Sequence, residues 1–381
     1  MTLPPLPQTP SGGTLPQTSS GGTPNQAPSG GTPSQASSGG APSQAPSGGT
    51  PNQVSSGGTP RTLVASDLDR TLIYSAAALA LDDVPDARAP RLLTVEAYQA
   101  RPQSYVTETA AGLIARLAAH PGALFVPTTT RTREQYLRIR LPGPAPRYAI
   151  CANGGHLLVE GATDEEWHAG VRRRLAADCA PLAEVKAHLA RSADAAWLLK
   201  ERDAEGLFAY LVVERALMPE SWPEELADWA APLGWTVSLQ GRKLYAVPRP
   251  LTKSAAVAEI ARRVGAGTVL SAGDSLLDTD LLLAADRGWR PGHGELAAAG
   301  WGAPHVTALS DRGVRAGERI LGAFLEAVDG AAQDGAQDGA RGAGRNGARV
   351  GAPGGAQGAA RGSAGDPAGA AGSAPRPRAA R

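Results

Sequence analysis

The sequence predicts an α/β fold in which a parallel β-sheet is covered by helices on both faces and is interrupted by a small α+β module. Four short, continuously apolar runs are each followed by small or polar residues and then by a helix-like segment. Such runs are typical of strands buried on both faces, as in parallel sheets. A stretch of mixed strand and helix patterns between the third and the fourth run predicts the inserted module.

The two ends of the chain differ from its middle. Within residues 1–60 a nine-residue unit rich in Gly, Ser and Pro repeats, as in SGGTPNQAP and SGGTPSQAS. Residues 329–381 are rich in Gly, Ala and Arg, as in GAAQDGAQDGARGAGRN. Neither stretch has the apolar residues whose burial offsets the loss of chain entropy on folding. Both are therefore predicted to be disordered.

The composition of the chain argues against several classes of function. With 37 basic and 36 acidic side chains the formal net charge is +1, so no overall field favours nucleic acid or an anionic membrane as a partner. The two cysteines, Cys151 and Cys179, predict neither a disulfide scaffold nor a zinc site. No stretch suits a bilayer span or a secretory signal, so a cytoplasmic location is the default expectation. The sequence indicates no oligomeric state.

The predicted core covers residues 61–154 and 249–328. Its four strand-like runs, with the residue that each one precedes, are TLVAS before Asp67, ALFVP before Thr128, RYAICA before Asn153 and TVLSA before Gly273. In parallel α/β sheets the functional residues lie just beyond the carboxyl ends of the strands. The polar residues after the four runs are therefore expected to converge on one edge of the sheet.

The predicted inserted module covers residues 155–248. Its strand-like segments are HLLVEG, AAWLLKE, LFAYLVVE, WTVSLQ and KLYAV. Its helix-like segments are DEEWHAGVRRRLAADC, PLAEVKAHLARSA and PEELADWAAP. Five of the seven tryptophans fall here, and we interpret most of them as core residues because large aromatic side chains dominate the packing of small modules.

Polar side chains with a common chemistry stand at the predicted strand ends and at the start of one helix. They are Asp67, Asp69 and Thr71, then Thr129, Thr130 and Arg131, then Lys253, and finally Asp274 and Asp278. Carboxylate oxygens are ligands that Mg²⁺ prefers. A carboxylate can also attack phosphorus, and a second carboxylate can donate and accept the proton. Lysine and hydroxyl groups stabilise charge on a transferring phosphoryl group, so the set predicts Mg²⁺-dependent phosphoryl transfer.

Each of these signals has a simpler interpretation when taken alone. A DLDRT or a GDSLLD segment is also compatible with a turn or a helix cap, since Asp, Ser and Thr favour such positions. A single lysine in a first helical turn is usually solvated. Asn153 is as compatible with a turn former as with a substrate contact. The order of the segments along the chain, each after a predicted strand or at a helix start, favours the functional interpretation.

DLDRT, TTTRT, Lys253 and GDSLLD, in that order, resemble the four motifs of the haloacid dehalogenase (HAD) superfamily of phosphohydrolases. The module between the second and third motifs resembles the type-2 cap of that superfamily, as in its sucrose-phosphate and mannosylglycerate-phosphate phosphatases. More loosely, the chain is similar to HAD phosphatases found alongside tellurium-resistance proteins in actinobacteria. The resemblance covers about residues 61–325 and neither end of the chain.

The resemblance implies a role for each matching residue. Asp67 would be the nucleophile and a metal ligand, and Asp69 the general acid and base. Thr129 would bind phosphoryl oxygens, and Lys253 would neutralise Asp67 and the phosphate. The implied Mg²⁺ ligands are Asp67, Asp69 through its carbonyl, Asp274 and Asp278, the last orienting either metal-bound water or Lys253. The implied substrate-binding residues are Thr71, Thr130, Arg131 and Asn153.

Two positions depart from the HAD pattern. Arg70 stands where glycine usually follows the second aspartate, and Leu277 stands where the last motif usually has asparagine. The implied function is hydrolysis of a small phosphorylated metabolite, such as a sugar phosphate, through an aspartyl-phosphate. The alternative is a catalytically weak or inactive phosphate-sensing or scaffold protein with this fold, as in a stress system of the tellurium-resistance type.

Overall fold

The computed structural model describes residues 62–82, 84–85 and 88–346, with side chains to residue 333. The predictions for residues 1–60 and 347–381 lie outside the described residues. The strands are β1 (Thr62–Ser66), β2 (Leu92–Tyr98), β3 (Arg101–Thr107), β4 (Ala123–Pro127), β5 (Tyr148–Cys151), β6 (His156–Val159), β7 (Ala162–Thr163), β8 (Leu198–Ala204), β9 (Phe208–Val213), β10 (Trp235–Gln240), β11 (Lys243–Pro248), β12 (Thr268–Ala272), β13 (Arg287–Arg290) and β14 (Val306–Ala308). The α-helices are α1 (Glu108–Ala119), α2 (Arg133–Tyr136), α3 (Glu165–Asp178), α4 (Leu182–Ser192), α5 (Trp222–Ala230), α6 (Lys253–Val264), α7 (Thr279–Leu283), α8 (Glu295–Ala298) and α9 (Gly313–Asn346).

The central sheet has five strands in the order β14-β13-β12-β1-β4, and every pair in it is parallel. From β1 the chain goes to β4 on one side and later to β12 on the other. The strand order therefore reverses at β1, and ligands of open α/β sheets bind at such a switch point. Asp67, the first residue after β1, stands at this position.

Both faces of the central sheet are covered, as the continuous apolar runs predict. Val64 packs in one buried cluster together with residues of α1 and α9. Its neighbours Leu63 and Ala65 pack in a second cluster together with residues of α6 and α7. Successive residues of a strand point to opposite faces. The predicted fold class, a parallel-sheet α/β core with an inserted α+β module, is confirmed.

The third predicted run is a strand, but it lies outside the central sheet. β5 pairs with β6 and β6 with β7, both antiparallel, and a single parallel bridge from Thr128 to Ile150 connects β5 to the end of β4. The reason is the turn after β5, where Ala152, Asn153 and Gly154 have φ values of 48°, 55° and 98°. Three consecutive left-handed residues reverse the chain, so β6 returns along β5.

A β-hairpin of β2 and β3 follows the first motif, and no run in the sequence predicts it. The backbone carbonyl of Tyr74 accepts a hydrogen bond from the amide of Tyr105, and the amide of Tyr74 donates to the carbonyl of Tyr105. These two bonds connect the hairpin to the segment after DLDRT. The hairpin therefore stands beside the carboxyl end of β1.

The inserted module is built on an antiparallel sheet in the order β10-β11-β9-β8. Residues of α3, α4 and α5 pack with this sheet in one buried cluster. Trp197, Trp222 and Trp235 are buried there, which agrees with the interpretation of most tryptophans as core residues. The boundaries at residues 155 and 248 stay predictions.

The last described helix, α9, continues to Asn346, beyond residue 328, where the predicted core ends. Its first four turns supply Ile320, Leu321 and Phe324 to the core. Alanine and glutamine, which recur after Asp329, are good helix formers, and this allows the helix to continue. Within the described residues, no helix is both long enough and apolar enough to cross a bilayer.

Candidate active site

A buried lysine connects the first and the last motif. Lys253 Nζ lies 2.7 Å from Asp67 Oδ1 and 2.5 Å from Asp278 Oδ1. Lys253 and Asp278 are fully buried, and Asp67 is 5% exposed. A buried charge is costly unless it is paired, so each of the three depends on the others. The charge partner of Asp67 in this structure is therefore Lys253.

The turn after β5 fixes the start of α6 and so the position of Lys253. Asn153 Nδ2 donates a 2.7 Å hydrogen bond to the carbonyl of Leu251. Gly154 packs directly on the carbonyl of Thr252, where any Cβ would collide. Thr252 caps the helix by accepting a hydrogen bond from the amide of Ala255. Asn153 therefore acts as a turn former here, and its use as a substrate contact stays a prediction.

Asp278 uses both of its carboxylate oxygens within the protein. Oδ1 holds Lys253, while Oδ2 accepts hydrogen bonds from the amides of Asp274 and Ser275 and from Ser275 Oγ, at 2.7–3.1 Å. Gly273 permits this approach, because a Cβ there would collide with the Asp278 side chain. Asp278 is thus placed to orient Lys253 and the loop, which is one of its two predicted uses.

The carboxylates of Asp67, Asp274 and Asp278 form a compact buried group. Each offers an oxygen, and these atoms lie within 4.8 Å of one another. Burial raises the pKa of Asp67 to about 7, against the attraction of Lys253, and burial together with Asp67 raises the pKa of Asp274. These buried carboxylates repel one another, and a bound divalent cation would reduce the repulsion. Because Asp67 and Asp274 supply hard oxygen donors and Mg²⁺ retains waters, the residues fit this ion.

Arg70 contacts the same group. It has a φ of 64°, a backbone conformation that favours glycine, and its Nε lies 3.0 Å from Asp274 Oδ2. The Arg70 carbonyl accepts a 2.7 Å hydrogen bond from His293 Nε2. Because His293 Nδ1 accepts from the amide of Gly313, the proton of the neutral ring is on Nε2. This contact holds the left-handed residue in place.

Asp69, the predicted acid and base, is held by Arg131. Arg131 Nε and Nη2 lie 2.6 and 2.8 Å from the two oxygens of Asp69, and Nη1 lies 2.6 Å from buried Glu96. Ser104 bonds both Glu96 and Arg131. Burial would raise the pKa of Asp69, but the Arg131 guanidinium lowers it to about 2, and Lys243 contributes. Asp69 is therefore ionised at neutral pH.

The three predicted threonines are all buried but differ in their surroundings. Thr129 Oγ1 accepts a hydrogen bond from the amide of Arg131, and its hydroxyl proton remains available as a donor. Thr130 is 6% exposed. Thr71 is fully buried, and its Oγ1 has no hydrogen-bond partner among the described residues. Thr71 does not line the cavity that opens beside Asp69, and its role in substrate binding stays a prediction.

Contacts between the core and the inserted module involve residues that the sequence did not single out. Glu295 Oε2 accepts hydrogen bonds from Ser238 Oγ of β10 and from the amide of Leu276, and Oε1 accepts from the amide of Leu239. Leu277 packs in the buried cluster of the module. The asparagine-to-leucine departure thus replaces a polar residue with an apolar contact to the module.

Sequence reasoning also missed Glu96, Ser104 and Lys243. Glu96 and Ser104 belong to the unpredicted hairpin of β2 and β3. Lys243 begins β11, within the segment KLYAV that was interpreted only as a strand. Because no run in the sequence predicts the hairpin of β2 and β3, no sequence signal pointed to Glu96 or Ser104.

No family model and no curated protein matches the chain. Among solved structures, the sucrose-phosphatase from Synechocystis sp. PCC6803, in complex with sucrose and phosphate, is 15% identical, with a TM-score of 0.49 over 71% of this chain and 98% of that one. A trehalose-6-phosphate phosphatase related protein is 16% identical, with a TM-score of 0.40 over 70% and 98%. A phosphatase of the haloalkanoate (HAD) enzyme superfamily from Bacteroides thetaiotaomicron is 12% identical, with a TM-score of 0.42 over 73% and 100%. The solved structures that the chain resembles thus include phosphatases of the HAD superfamily, at low identity.

Proposed function

We propose that the chain is a Mg²⁺-dependent phosphatase that transfers the phosphoryl group of a small phosphorylated metabolite, such as a sugar phosphate, to Asp67 and then to water. One observation carries the proposal. Asp67 stands at the switch point of the sheet, with the buried ammonium of Lys253 2.7 Å away and an oxygen of Asp274 within 4.8 Å of one of its own. A nucleophile, a fixed cation and a second carboxylate are what transfer to an aspartate requires.

Asp67 and Asp274 would hold the metal ion, with Asp278 and Lys253 fixing the carboxylate of Asp67. When bound, Mg²⁺ neutralises charge on the phosphoryl oxygens and so lowers their repulsion of an anionic nucleophile. Lys253 stays protonated, since Asp278 and Asp67 raise its pKa although burial opposes this. It therefore supplies a fixed positive charge at the nucleophile throughout the reaction.

In the first step the oxygen of Asp67 that Lys253 does not hold attacks phosphorus, and the bond from phosphorus to the leaving oxygen breaks. Asp69 gives the leaving oxygen a proton. Because Arg131 binds both oxygens of Asp69, this step requires Arg131 to release one oxygen and Asp69 to take up a proton.

In the second step ionised Asp69 removes a proton from water, which attacks the phosphorus of the aspartyl-phosphate. The bond from phosphorus to Asp67 breaks, and inorganic phosphate leaves. Arg131 favours the ionised carboxylate through two charge-assisted hydrogen bonds. The resting contact of Asp69 therefore suits the base step directly.

A second candidate is a phosphate-binding protein without turnover. Two observations favour it: Arg70 binds Asp274, a candidate metal ligand, and Arg131 binds Asp69 through both oxygens. If neither contact opens, phosphate would bind near Lys253 without being transferred. Hydrolysis of an aryl phosphate by the wild type separates the two candidates.

The test is hydrolysis of an aryl phosphate in the presence of Mg²⁺ by the wild type and by Asp67→Asn. We expect the wild type to turn over and the variant to lose at least about a thousandfold in kcat, since the nucleophile is gone. Asp286→Asn is the matched control, because Asp286 bonds the amide of Val269 away from the carboxylate group. Undiminished turnover by Asp67→Asn contradicts the proposal, and a wild type that binds phosphate but never hydrolyses supports the second candidate.

A further inference from the structure

A cavity of about 360 Å³ opens beside Asp69. It is lined by the segments that follow β1 and β4, by the hairpin of β2 and β3, and by β9 and the β10–β11 hairpin of the inserted module. Its volume lies in the range of small-ligand sites. Asp67 does not line the cavity, but Asp69, the proposed acid, does, so the leaving group that Asp69 protonates would extend into this space.

The wall of the cavity carries more positive than negative charge. Five basic side chains line it, namely Arg70, Arg131, Arg138, Arg242 and Lys243, against the two carboxylates Asp69 and Glu96. Three of the basic residues are paired: Arg70 with Asp274, Arg131 with Asp69 and Glu96, and Arg138 with Glu96 and Glu134. Within the described part of the chain, neither Arg242 nor Lys243 forms an ion pair at 4 Å or less, although the more distant Asp69 attracts Lys243.

The two remaining cations share one location. Gly241 and Arg242 form the turn between β10 and β11, and Lys243 is the first residue of β11. Lys243 is half-buried, with its ammonium 5.9 Å from the centroid of the Tyr210 ring. Asp69 attracts Lys243 from beyond ion-pair distance, but Arg131 already binds both oxygens of Asp69. An anionic ligand in the cavity would therefore give Lys243 a direct partner.

The rest of the lining is polar as well. Gln103, Gln135 and Gln240 offer amide groups, and Tyr98 and Tyr245 offer rings with hydroxyls, while Val212 is one of few aliphatic residues in the wall. Such a surface matches a hydroxylated skeleton better than a lipid or an aromatic one. It supplies hydrogen bonds along the path from Asp69 to the β10–β11 turn.

We propose that the substrate carries a second anionic group, a carboxylate or a further phosphate, which binds Lys243 and Arg242 while the scissile phosphate binds at Asp67. This inference rests on the proposed phosphatase function. Lys253, at the other end of the site, would neutralise charge on the scissile phosphate. The cations of the β10–β11 turn are therefore left for a different group of the same molecule.

The experiment compares matched pairs of substrates in the presence of Mg²⁺. Gluconate 6-phosphate against glucose 6-phosphate tests a carboxylate, and fructose 1,6-bisphosphate against fructose 6-phosphate tests a second phosphate. We expect the doubly anionic member of at least one pair to have a kcat/KM higher by about tenfold or more, as for a hydrogen bond to a charged group. The pair that shows the preference identifies the source of the charge.

Variants then test the residues. In Lys243→Gln we expect the ratio of kcat/KM within the preferred pair to fall to about one. In Arg242→Gln we expect the ratio to fall as well, but to remain above one. Lys200→Gln, which removes an exposed lysine of β8 outside the cavity, should keep the wild-type ratio. The ratio compares two substrates on one protein, so a general loss of activity does not imitate the effect. Arg242 is exposed, so Arg242→Gln still tests the second-anion site if Lys243→Gln folds poorly.

Two outcomes overturn the proposal in different ways. If the wild type hydrolyses an aryl phosphate but shows no preference in either pair, or keeps its preference in both variants, the second-anion site is wrong and the phosphatase function stands. If the wild type hydrolyses no phosphate ester, the phosphatase function and the inference fail together.

Discussion

At the scale of single residues, Arg70 is the main departure from the pattern that the motifs predict. Its guanidinium occupies one oxygen of Asp274, the carboxylate that we propose as a metal ligand. A cation at Asp67 and Asp274 would have to compete with that contact. Under the proposed function, the Arg70 contact would therefore weaken the binding of Mg²⁺.

We expect Arg70→Gln to bind Mg²⁺ about fivefold more tightly than the wild type, because an ion pair of a partly exposed arginine contributes roughly 1 kcal/mol. Glutamine keeps a side chain on the left-handed backbone and removes only the charge. Titration calorimetry without substrate measures the dissociation constant directly. Arg215→Gln, which removes a nearby arginine that does not contact Asp274, is the control. Equal or weaker binding by Arg70→Gln would show that the contact does not oppose the metal ion.

His293 makes the stability of the protein depend on pH. Burial lowers its pKa to about 4, from 6.5 for an unperturbed histidine. Between these two values the unfolded chain binds a proton that the folded chain does not. The contribution of the neutral His293 to the free energy of unfolding is therefore complete above about pH 6.5 and is lost as the pH falls toward 4.

We expect the wild type to lose up to about 3 kcal/mol more stability than His293→Gln between pH 6.5 and pH 4. Denaturant unfolding of both proteins at several pH values measures this difference, and the contribution of the carboxylates cancels because both proteins contain them. His305→Gln controls for the lost hydrogen bond, because His305 also bonds a main-chain carbonyl, that of Leu282. Parallel pH profiles for the wild type and His293→Gln would refute the assignment.

At the scale of elements, Glu295 at the start of α8 connects β10 of the inserted module to the loop that follows β12. Three donors share its carboxylate, two of them from the module. Leu277 adds apolar contact at the same place. The position of the module over the site therefore depends on this one glutamate more than on any other polar contact described above.

We expect Glu295→Gln to increase hydrogen exchange in Trp235–Gln240 by about tenfold or more, because a hydrogen bond to a charged group contributes about 1.5–3 kcal/mol. Exchange in Thr268–Ala272 of the central sheet should stay unchanged. Glu259→Gln is the matched control, since Glu259 makes its ion pairs within α6. Unchanged exchange in β10 would mean that other contacts hold the module in place.

The elements also show what the sequence could and could not predict. The four apolar runs predicted four strands, but the third, β5, forms a hairpin because Ala152 and Asn153 adopt left-handed conformations without being glycine. The β2–β3 hairpin was missed for a similar reason. Its turn residues Gln99 and Ala100 have φ values of 50° and 58°, where Asn-Gly is the usual signal. Hairpins whose turns are formed by atypical residues are therefore hard to predict from the sequence.

At the scale of the whole molecule, residues far apart in the chain meet because parallel strands end at one edge of the sheet. This rule was enough to predict that Asp67 and Asp274 lie together. Lys253 begins a helix 186 positions from Asp67, and the resemblance to the HAD motifs pointed to it. The rule could not predict the partners of Arg131 and Arg70. Glu96 comes from an unpredicted hairpin, and a left-handed backbone at Arg70 leaves no trace in the apolar pattern.

The proposed function also makes a whole-molecule statement: core and module together enclose one reaction at one nucleophile. The most direct measurement mixes the protein with an aryl phosphate and Mg²⁺, stops the reaction with acid during turnover, and maps phosphorylated peptides by mass spectrometry. We predict a single acid-stable, base-labile phosphoryl group on Asp67, and none in Asp67→Asn. Steady turnover with no phosphoryl group on Asp67, or with one on another residue, would contradict the account.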